Sequence, residues 1–257
     1  MNYKLLLFDL DGTLLRNDKT ISENTLNVLR KCRNHGLLIG VATSRSEKNS
    51  MTYIKELCPD IIISSGGALV RYKNSYICKA EFTQDETRAM IETARNVCGA
   101  DCEITVDTVG EHYWNYKVNP NKIDSRWGDS IYTDFSDFSE CALKVCVEIS
   151  EQEKADKMKT IFKEYDCVRF SDGDWYKFTK KTATKENAIS ELCNVCGISK
   201  DEIIAFGDDF ADIGMLRFCG QGIAMGNAID EVKAVADKVI GSNEDEGIAK
   251  YLEKMCL

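Results

Sequence analysis

Two aspartates follow an apolar run near the start of the chain. Residues 5–8 are apolar and lead directly into Asp9, Leu10, Asp11 and Gly12. Such a run is typical of a strand buried on both faces of a parallel sheet, and the ligands of these sheets bind beyond the carboxyl ends of the strands. The i, i+2 spacing turns the carboxylates of Asp9 and Asp11 broadly the same way.

Two carboxylates in one small volume repel each other, and something must offset that repulsion. A divalent cation would do so, and so would a division of labour in which one acid carries a proton while the other stays charged. The structural alternative is a strand followed by an acidic turn, with Asp11 and Gly12 as turn residues.

Polar residues end three further predicted strands. The apolar runs 37–42, 60–64 and 203–206 are followed by Thr43, Ser44 and Arg45, by Ser65 and Gly66, and by Asp208 with Asp212 four positions later. Lys185 opens a predicted helix before the last of these strands. Alone, Thr43 is typical of a strand-end cap, Lys185 of a solvated helix face, and the late aspartates of a helix cap.

The same residues, considered jointly with Asp9 and Asp11, suit phosphoryl transfer from a monoester. That reaction needs a nucleophile, a cation that reduces repulsion between anions, donors to the phosphate oxygens and a proton for the leaving alcohol.

The alternation of strands and helices predicts the fold class. Helices over 22–35 and 46–57 separate the first three strands, and the same alternation resumes after residue 183 and continues to the end of the chain. We therefore predict an α/β fold with a doubly wound, Rossmann-like parallel sheet as its core.

The middle of the chain breaks this pattern. A hairpin-like segment is followed by a capping box at Thr83 and Glu86, and then by short strands interleaved with helices. This pattern predicts an inserted α+β cap over residues 83–182, with the core formed by 1–82 and 183–257.

Composition limits the partners. The 257 residues carry a net charge of -9, which argues against a nucleic-acid partner because phosphate backbones require clustered Lys and Arg. The sequence shows no apolar segment of membrane-spanning length and no export signal at its N-terminus. We expect a cytoplasmic protein without a membrane partner, as a monomer or a weak homodimer.

Cysteine, histidine and tryptophan are interpreted as structural. The 12 cysteines are scattered through apolar runs, which predicts reduced core residues, and the C-x-x-C at Cys193 and Cys196 lacks a second pair for zinc. With only two histidines in the chain, carboxylates must carry the chemistry. Trp114, Trp127 and Trp175 could line a pocket, but such aromatic residues are more often core.

The motifs resemble those of the haloacid dehalogenase-like superfamily. Four of them are matched by Asp9-Leu10-Asp11-Gly12-Thr13, by Thr43, by Lys185, and by Gly207-Asp208 with Asp212. Their order, and the late Ala224-Met225-Gly226-Asn227-Ala228, look most like the Cof-type subfamily of sugar-phosphate phosphatases, which carries a type IIB cap.

The resemblance implies a role for each matching residue. Asp9 would attack phosphorus to form an aspartyl phosphate, and Asp11 would protonate the leaving oxygen and then deprotonate water. Mg²⁺ would be held by Asp9, Asp208 and the backbone carbonyl of Asp11, with Asp212 orienting its water shell or Lys185. Thr43, Arg45 and Lys185 would bind the phosphate, and the cap would choose a small phosphorylated metabolite, with a sugar phosphate as the expected class.

Three positions depart from the subfamily pattern. Ser44 replaces a common glycine, and Gly66 and Ala211 replace common asparagines. Loss of these amides removes polar partners near the metal and the substrate, which supports one alternative to a phosphatase, a non-catalytic module that binds a phosphorylated ligand. A second alternative is a phosphosugar mutase, because the same aspartyl phosphate can pass to another hydroxyl.

Overall fold

Two β-sheets organise the chain, in a computed structural model that describes residues 3–119, 129–170 and 173–256. The first sheet contains β1 (Leu5–Phe8), β2 (Leu38–Ala42), β3 (Ile61–Ser64), β4 (Leu69–Tyr72), β5 (Ser75–Lys79), β12 (Ile203–Gly207), β13 (Gln221–Ala224) and β14 (Lys238–Val239). The second contains β6 (Ile104–Asp107), β7 (His112–Trp114), β8 (Ile131–Tyr132), β9 (Lys144–Glu148), β10 (Tyr165–Arg169) and β11 (Trp175–Lys180). The helices are α1 (Glu23–Asn34), α2 (Glu47–Ile54), α3 (Gln84–Cys98), α4 (Gln152–Ile161), α5 (Lys185–Cys196), α6 (Ile213–Phe218), α7 (Asp230–Val235) and α8 (Gly247–Cys256).

The strand order of the first sheet is β14-β13-β12-β1-β2-β3-β4-β5. Neighbouring strands are parallel from β14 to β3, and the hairpin β4-β5 adds two antiparallel strands at one edge. Strand order runs outward in both directions from β1, so the carboxyl end of β1 is a topological switch point, where α/β sheets bind their ligands. The predicted α/β fold class is confirmed.

Burial on both faces fixes β1 at the centre of the core. Leu5, Leu6 and Leu7 have no exposed surface, and Phe8 stacks on Phe206 of β12 with ring centroids 4.7 Å apart. Helix α1 begins where predicted, because the side chain of Ser22 accepts a hydrogen bond from the backbone N–H of Thr25.

One face of the second sheet packs in an apolar core. Ile104, Val106, Val145, Val147 and Phe178 belong to a buried cluster that also contains residues of α3 and α4. Because neighbouring side chains on a strand alternate between faces, the residues between them point to the opposite face. We call that opposite face the site face; it carries Thr105, Asp107, His112, Trp114, Lys144, Cys146, Trp175 and Lys177.

Most predicted elements are present, with small shifts of their ends. Helix α2 ends at Ile54, a few residues before its predicted end at residue 57. The three-residue strand β7 and the two-residue strand β8 were not predicted, since such short runs carry no readable alternation. The eleven cysteines whose side chains are described are free thiols.

Two further predictions concern the division of the chain and its surroundings. The domain limits at 82 and 183 stay a prediction; Phe82, on the core side of that division, packs in the apolar cluster of the second sheet. None of the described helices is both long enough and apolar enough to cross a membrane.

Candidate active site

Three carboxylates meet at the carboxyl ends of β1 and β12. Ligand oxygens of Asp9, Asp208 and Asp212 all lie within 4.8 Å of one another. Asp9 follows β1 and Asp208 follows β12, and these strands are adjacent and parallel, with Phe8 opposite Phe206. The register of two neighbouring strands therefore brings together residues from opposite ends of the sequence.

Lys185 joins two of these carboxylates. Its Nζ donates to Asp9 Oδ1 and to Asp212 Oδ1, each at 2.6 Å, and the residue is 3% exposed. Burial disfavours the ammonium, but Asp212 and Asp9 outweigh this effect and raise the pKa of Lys185. The lysine is placed by the first turn of α5, whose N-cap Thr184 accepts from the backbone N–H of Asn187.

Asp212 has both oxygens engaged. While Oδ1 accepts from Lys185, Oδ2 accepts from the backbone N–H groups of Asp208 at 2.9 Å and Asp209 at 3.1 Å. These bonds anchor the loop after β12. Asp9 and Asp208 are consequently the better candidates for direct ligands of an ion.

Gly12 permits the close approach of Asp208. Its φ of 81° favours glycine, and a Cβ at this position would collide with the carboxylate of Asp208. Thr13, the next residue, donates from Oγ1 to Asp208 Oδ1 at 2.6 Å. The first and last sequence motifs are thus in direct contact.

The charge balance of the cluster fits a divalent cation. Three carboxylates and one ammonium leave two negative charges in a largely buried site. Burial, reinforced by neighbouring carboxylates, raises the pKa of Asp208 to about 7 and that of Asp9 well above its usual range. A group with charge +2 among these oxygens would restore the ionised state of both acids.

Asp11 lies outside this cluster and pairs with two cations. Arg45 Nε donates to Asp11 Oδ2 at 2.6 Å, while Arg45 Nη2 and Lys19 Nζ donate to Oδ1 at 2.8 and 2.6 Å. Burial alone would raise the pKa of Asp11, but the hydrogen bonds and charges of Arg45 and Lys19 outweigh it and lower that pKa. Lys19 was not among the predicted residues.

Thr43 is buried at the end of β2, with a hydroxyl that can donate. Its Oγ1 accepts from the backbone N–H of Arg45 at 3.1 Å, which leaves the hydroxyl hydrogen for another partner. Thr43 lines a cavity of about 630 Å³ together with Asp9, Asp11, Arg45, Asp208 and Asp212. The structure thus brings these predicted residues to one cavity. Lys185 donates to Asp9, which is one of the residues that line it.

The three departures from the subfamily pattern have distinct surroundings. The backbone carbonyl of Ser44 accepts from Lys144 Nζ at 2.7 Å, and Ala211 lines the cavity. At Gly66, where φ is 73°, an added Cβ would lie 3.0 Å from Lys177 Nζ. The side chain of Lys177 therefore reaches the space next to Gly66.

The site face of the second sheet forms the opposite wall of the cavity. His112, Trp114, Lys144, Cys146 and Trp175 all line it, as do Thr105 and Phe170. Trp114 and Trp175, interpreted from sequence as core, are only partly buried here, and Trp127 lies outside the described residues. The alternation in Lys144-Val145-Cys146-Val147-Glu148 was the signal that could have revealed this wall.

A buried network ties that wall to the first sheet. Asp107 is fully buried; it accepts from Lys144 Nζ at 2.8 Å and from Ser65 Oγ at 2.9 Å. His112 Nδ1 lies 2.6 Å from the other oxygen of Asp107. Burial opposes ionisation of Asp107, but Lys144 and His112 prevail and hold its pKa well below the usual range.

Comparison with known proteins connects this site to a family. The chain is 28% identical over 265 residues to the 5-amino-6-(5-phospho-D-ribitylamino)uracil phosphatase YitU of Bacillus subtilis (strain 168), a match that covers 97% of this chain and 96% of that protein. The subclass IIB sugar phosphatase BT4131 shares its fold with a TM-score of 0.84 and 25% identity over 98% of both chains.

A further crystal structure shows the same fold. The haloacid dehalogenase-like hydrolase from Bacteroides thetaiotaomicron superposes with a TM-score of 0.86 and 22% identity, covering 98% of this chain and 99% of that one. The model of the haloacid dehalogenase-like hydrolase family matches residues 6–252. The resemblance inferred from the motifs is confirmed, and the chain belongs to the haloacid dehalogenase-like hydrolases.

Proposed function

We propose that this hydrolase is a magnesium-dependent phosphatase that cleaves the phosphate monoester of a small metabolite through a phosphorylated Asp9. The observation that carries the proposal is the cluster of Asp9, Asp208 and Asp212, in which Lys185 donates to Asp9 and Asp212, in the cavity that Thr43 also lines. This arrangement combines a nucleophile, room for a divalent cation and donors for an anionic group.

Asp9 and Asp208 would hold Mg²⁺, with the backbone carbonyl of Asp11 as a further oxygen ligand. Mg²⁺ accepts one or two carboxylates and keeps several waters, which suits a site with two available carboxylates. When bound, the ion would reduce the repulsion between Asp9 and an anionic phosphate. Asp212 would not bind the ion directly; it would hold Lys185 and the loop after β12 in position.

The first step forms a covalent bond between Asp9 and phosphorus. A carboxylate oxygen of Asp9 attacks, the bond between phosphorus and the leaving oxygen breaks, and that oxygen takes a proton from Asp11. Thr43 and Lys185 donate hydrogen bonds to the phosphate oxygens. In the second step Asp11 takes a proton from water, whose oxygen attacks phosphorus and releases Asp9.

Asp11 must hold a proton when the alcohol leaves, although Arg45 and Lys19 favour its ionised form in this structure. A phosphate dianion competes with Asp11 for the same two cations. Withdrawal of Arg45 toward the phosphate would raise the proton affinity of Asp11 when the substrate arrives. Arg45 would then bind the phosphate, and its position beside Asp11 in the lining of the cavity supports this role.

The inserted segment, residues 83–182, would select the substrate. The charged groups of the proposed reaction come from the first sheet and α5, while the site face supplies the opposite wall. A sugar phosphate is one expected substrate, and the phosphorylated ribitylaminouracil named for the Bacillus relative is another. Both belong on the panel that tests the proposal.

Phosphate release from a panel of phosphorylated metabolites, with Mg²⁺ or with EDTA, tests the activity. We expect release that EDTA abolishes. Isomerised hexose phosphate in place of free phosphate would establish the mutase instead. No hydrolysis of any compound, aryl phosphates included, would establish the binding module.

The covalent step has its own test in Asp11→Asn. This variant should retain the fold but lose the group that activates water, so an aryl or acyl phosphate should leave phosphate trapped on Asp9. Rapid acid quenching and peptide mass spectrometry measure the trapped species. Phosphate on a different residue would contradict the assignment of Asp9.

A further inference from the structure

Three buried lysines lie at or next to the cavity. Lys144, Lys177 and Lys185 are 5%, 6% and 3% exposed. Lys144 donates to Asp107, and Lys185 is shared by two carboxylates of the site. In the part of the chain that the structure describes, the ammonium of Lys177 forms neither an ion pair nor a hydrogen bond. Lys177 is therefore the exception among the three.

An ammonium is rarely buried without a partner, because the loss of its hydration costs free energy that a counter-charge normally offsets. Burial lowers the pKa of Lys177, and the positive charges of Lys144 and Lys185 act in the same direction. The charge of Asp166 opposes this effect on the pKa without cancelling it. The folded protein thus keeps a cationic group here although no counter-charge is in contact with it.

The end of the Lys177 side chain lies beside the proposed phosphate site. Lys177 lies in β11 opposite Cys146 of β9, so both belong to the site face. A Cβ added to Gly66 would lie 3.0 Å from Lys177 Nζ, and the backbone N–H of Gly66 donates to the carbonyl of Thr43 at 3.0 Å. Because Cys146 and Thr43 both line the cavity, the ammonium lies immediately next to that lining.

Gly66 leaves the ammonium room to move. The three heavy atoms nearest to an added Cβ at this position all belong to Lys177, so any side chain here would fill the space that the lysine uses. The flexible four-carbon stem of a lysine can carry its ammonium past a glycine toward the cavity. A ligand in the cavity is thus within reach of Lys177.

The carboxylates of the site already have partners. They accept hydrogen bonds from cations or hydroxyls: Asp9 and Asp212 from Lys185, Asp11 from Arg45 and Lys19, Asp107 from Lys144, and Asp208 from Thr13. In the proposed function, the transferred phosphate likewise has its own donors on the first sheet and α5. A counter-charge for Lys177 must therefore come from a second anionic group of the ligand.

We propose, building on the phosphatase function above, that Lys177 binds a second anionic group on the leaving part of the substrate, either a carboxylate or a second phosphate. Lys177 is then a specificity-determining residue. A neutral sugar phosphate leaves its ammonium without a partner, whereas an acidic sugar phosphate or a sugar bisphosphate supplies one. Such a substrate would also offset the cost of burying the lysine alone.

Matched esters test this inference on the intact enzyme with Mg²⁺. A carboxylate distinguishes 6-phosphogluconate from glucose 6-phosphate and 3-phosphoglycerate from glycerol 3-phosphate, and a second phosphate distinguishes fructose 1,6-bisphosphate from fructose 6-phosphate. In at least one pair we expect kcat/KM to be about tenfold higher for the acidic ester, because a hydrogen bond between charged groups supplies that much. The pair that responds identifies the anionic group. Equal or lower values for the acidic ester in every pair would overturn the inference.

Variants locate the effect. Lys177→Met keeps an unbranched side chain of similar length and removes the charge, so it should lower the ratio of kcat/KM between the acidic and the neutral ester by about tenfold. Lys181→Met is the matched control, since Lys181 is exposed and follows the same strand. A ratio unchanged in Lys177→Met, or lowered equally in Lys181→Met, would contradict the assignment.

Stability gives a readout that does not depend on activity. Lys177→Met removes a buried charge that lacks a partner, so it should raise the urea midpoint of the unliganded protein. Lys144→Met instead leaves the buried carboxylate of Asp107 without its ammonium and should lower that midpoint. A midpoint of Lys177→Met equal to or below that of the wild type would show that the folded protein already satisfies the lysine, and would overturn the inference.

Binding separates this inference from the phosphatase function. Calorimetry compares the affinities within each pair in Asp9→Asn, which should not turn over, and in the double variant that also carries Lys177→Met. If the wild-type enzyme releases no phosphate while an acidic ester binds about tenfold more tightly through Lys177, the phosphatase proposal fails and recognition of the second anionic group stands. Equal affinities within every pair would overturn that recognition, whatever the activity.

Discussion

Two opposite sides of the cavity are built in different ways. We call the side that carries Asp9 and Asp208 the floor, and the side formed by the site face the facing wall. The floor collects carboxylates just beyond strand ends, where Asp9 and Asp208 lie close together and Lys185 of α5 donates to Asp9. The facing wall uses alternate residues within strands, such as Trp114 and Trp175. Under the proposed function the floor carries the reaction and the wall selects the substrate, so changes in the two should have separable effects.

The largest effect should come from the floor. Asp9→Asn removes the nucleophile while keeping a similar shape, so kcat should fall at least about 1,000-fold with little change in melting temperature. Phosphate release measures the loss, and mass spectrometry excludes deamidation. Asp18→Asn, an exposed change near the same strand, is the control and should leave kcat unchanged.

The buried network of Asp107 joins the floor to the wall, and breaking it should lower the free energy of unfolding. Asp107→Asn leaves the buried ammonium of Lys144 without its carboxylate, and breaking a buried pair in this way costs about 3–5 kcal/mol. Urea unfolding measures the change. Arg30→Ala, which breaks an exposed pair with Glu23, should cost no more than about 1 kcal/mol, and equal losses in the two variants would refute the difference.

The same junction should give the protein an acid-sensitive component of stability. The folded-state pKa of Asp107 is lowered, so its contribution is complete above the unfolded value of about 3.9 and is lost as the pH falls toward the folded value. Between about pH 5 and pH 2, the free energy of unfolding should therefore fall more steeply in the wild type than in Asp107→Asn. If the free energy of unfolding falls equally steeply with pH in both proteins, Asp107 does not contribute to the acid sensitivity.

Measurements of metal affinity should show which residues of the floor bind Mg²⁺. Asp208→Asn should weaken Mg²⁺ binding at least about 100-fold, because a proposed ligand loses its charge. Calorimetric titration measures this value directly. Affinity equal to that of the wild type would exclude Asp208 from the ligands.

The smallest effect should come from Thr13→Val. This change removes the hydroxyl that donates to Asp208 Oδ1 and keeps a side chain of similar shape. Loss of such an orienting partner weakens metal affinity about tenfold. A value as large as that of Asp208→Asn would mean that Thr13 does more than orient its neighbour.

The floor was predictable from sequence because its residues follow readable strands. The runs before Asp9, Thr43 and Asp208 are apolar and end in polar groups, and a parallel sheet places such ends along one edge. The pairing of Asp11 with Arg45 and Lys19 was not predictable. It depends on how side chains from two loops meet, which no local pattern records.

The wall was predictable only in part, and for a different reason. Alternation in β9 indicates that Lys144 and Cys146 share a face, but which strand lies beside it depends on long-range register. Trp114 lies in a strand of three residues, too short for any pattern, so only its partnership with Thr105 in β6 places it at the cavity. Residue type alone favoured the core interpretation.

The contact between Thr13 and Asp208 also determines when this enzyme can first become active during its synthesis. The two residues are 195 positions apart, and β1 receives its neighbour β12 only from that later segment. At roughly 5–20 residues per second, the first aspartate motif leaves the ribosome about 10–40 s before its partner. The strands of the second sheet all lie between these segments and pair among themselves, so the facing wall can form on the nascent chain before the floor exists.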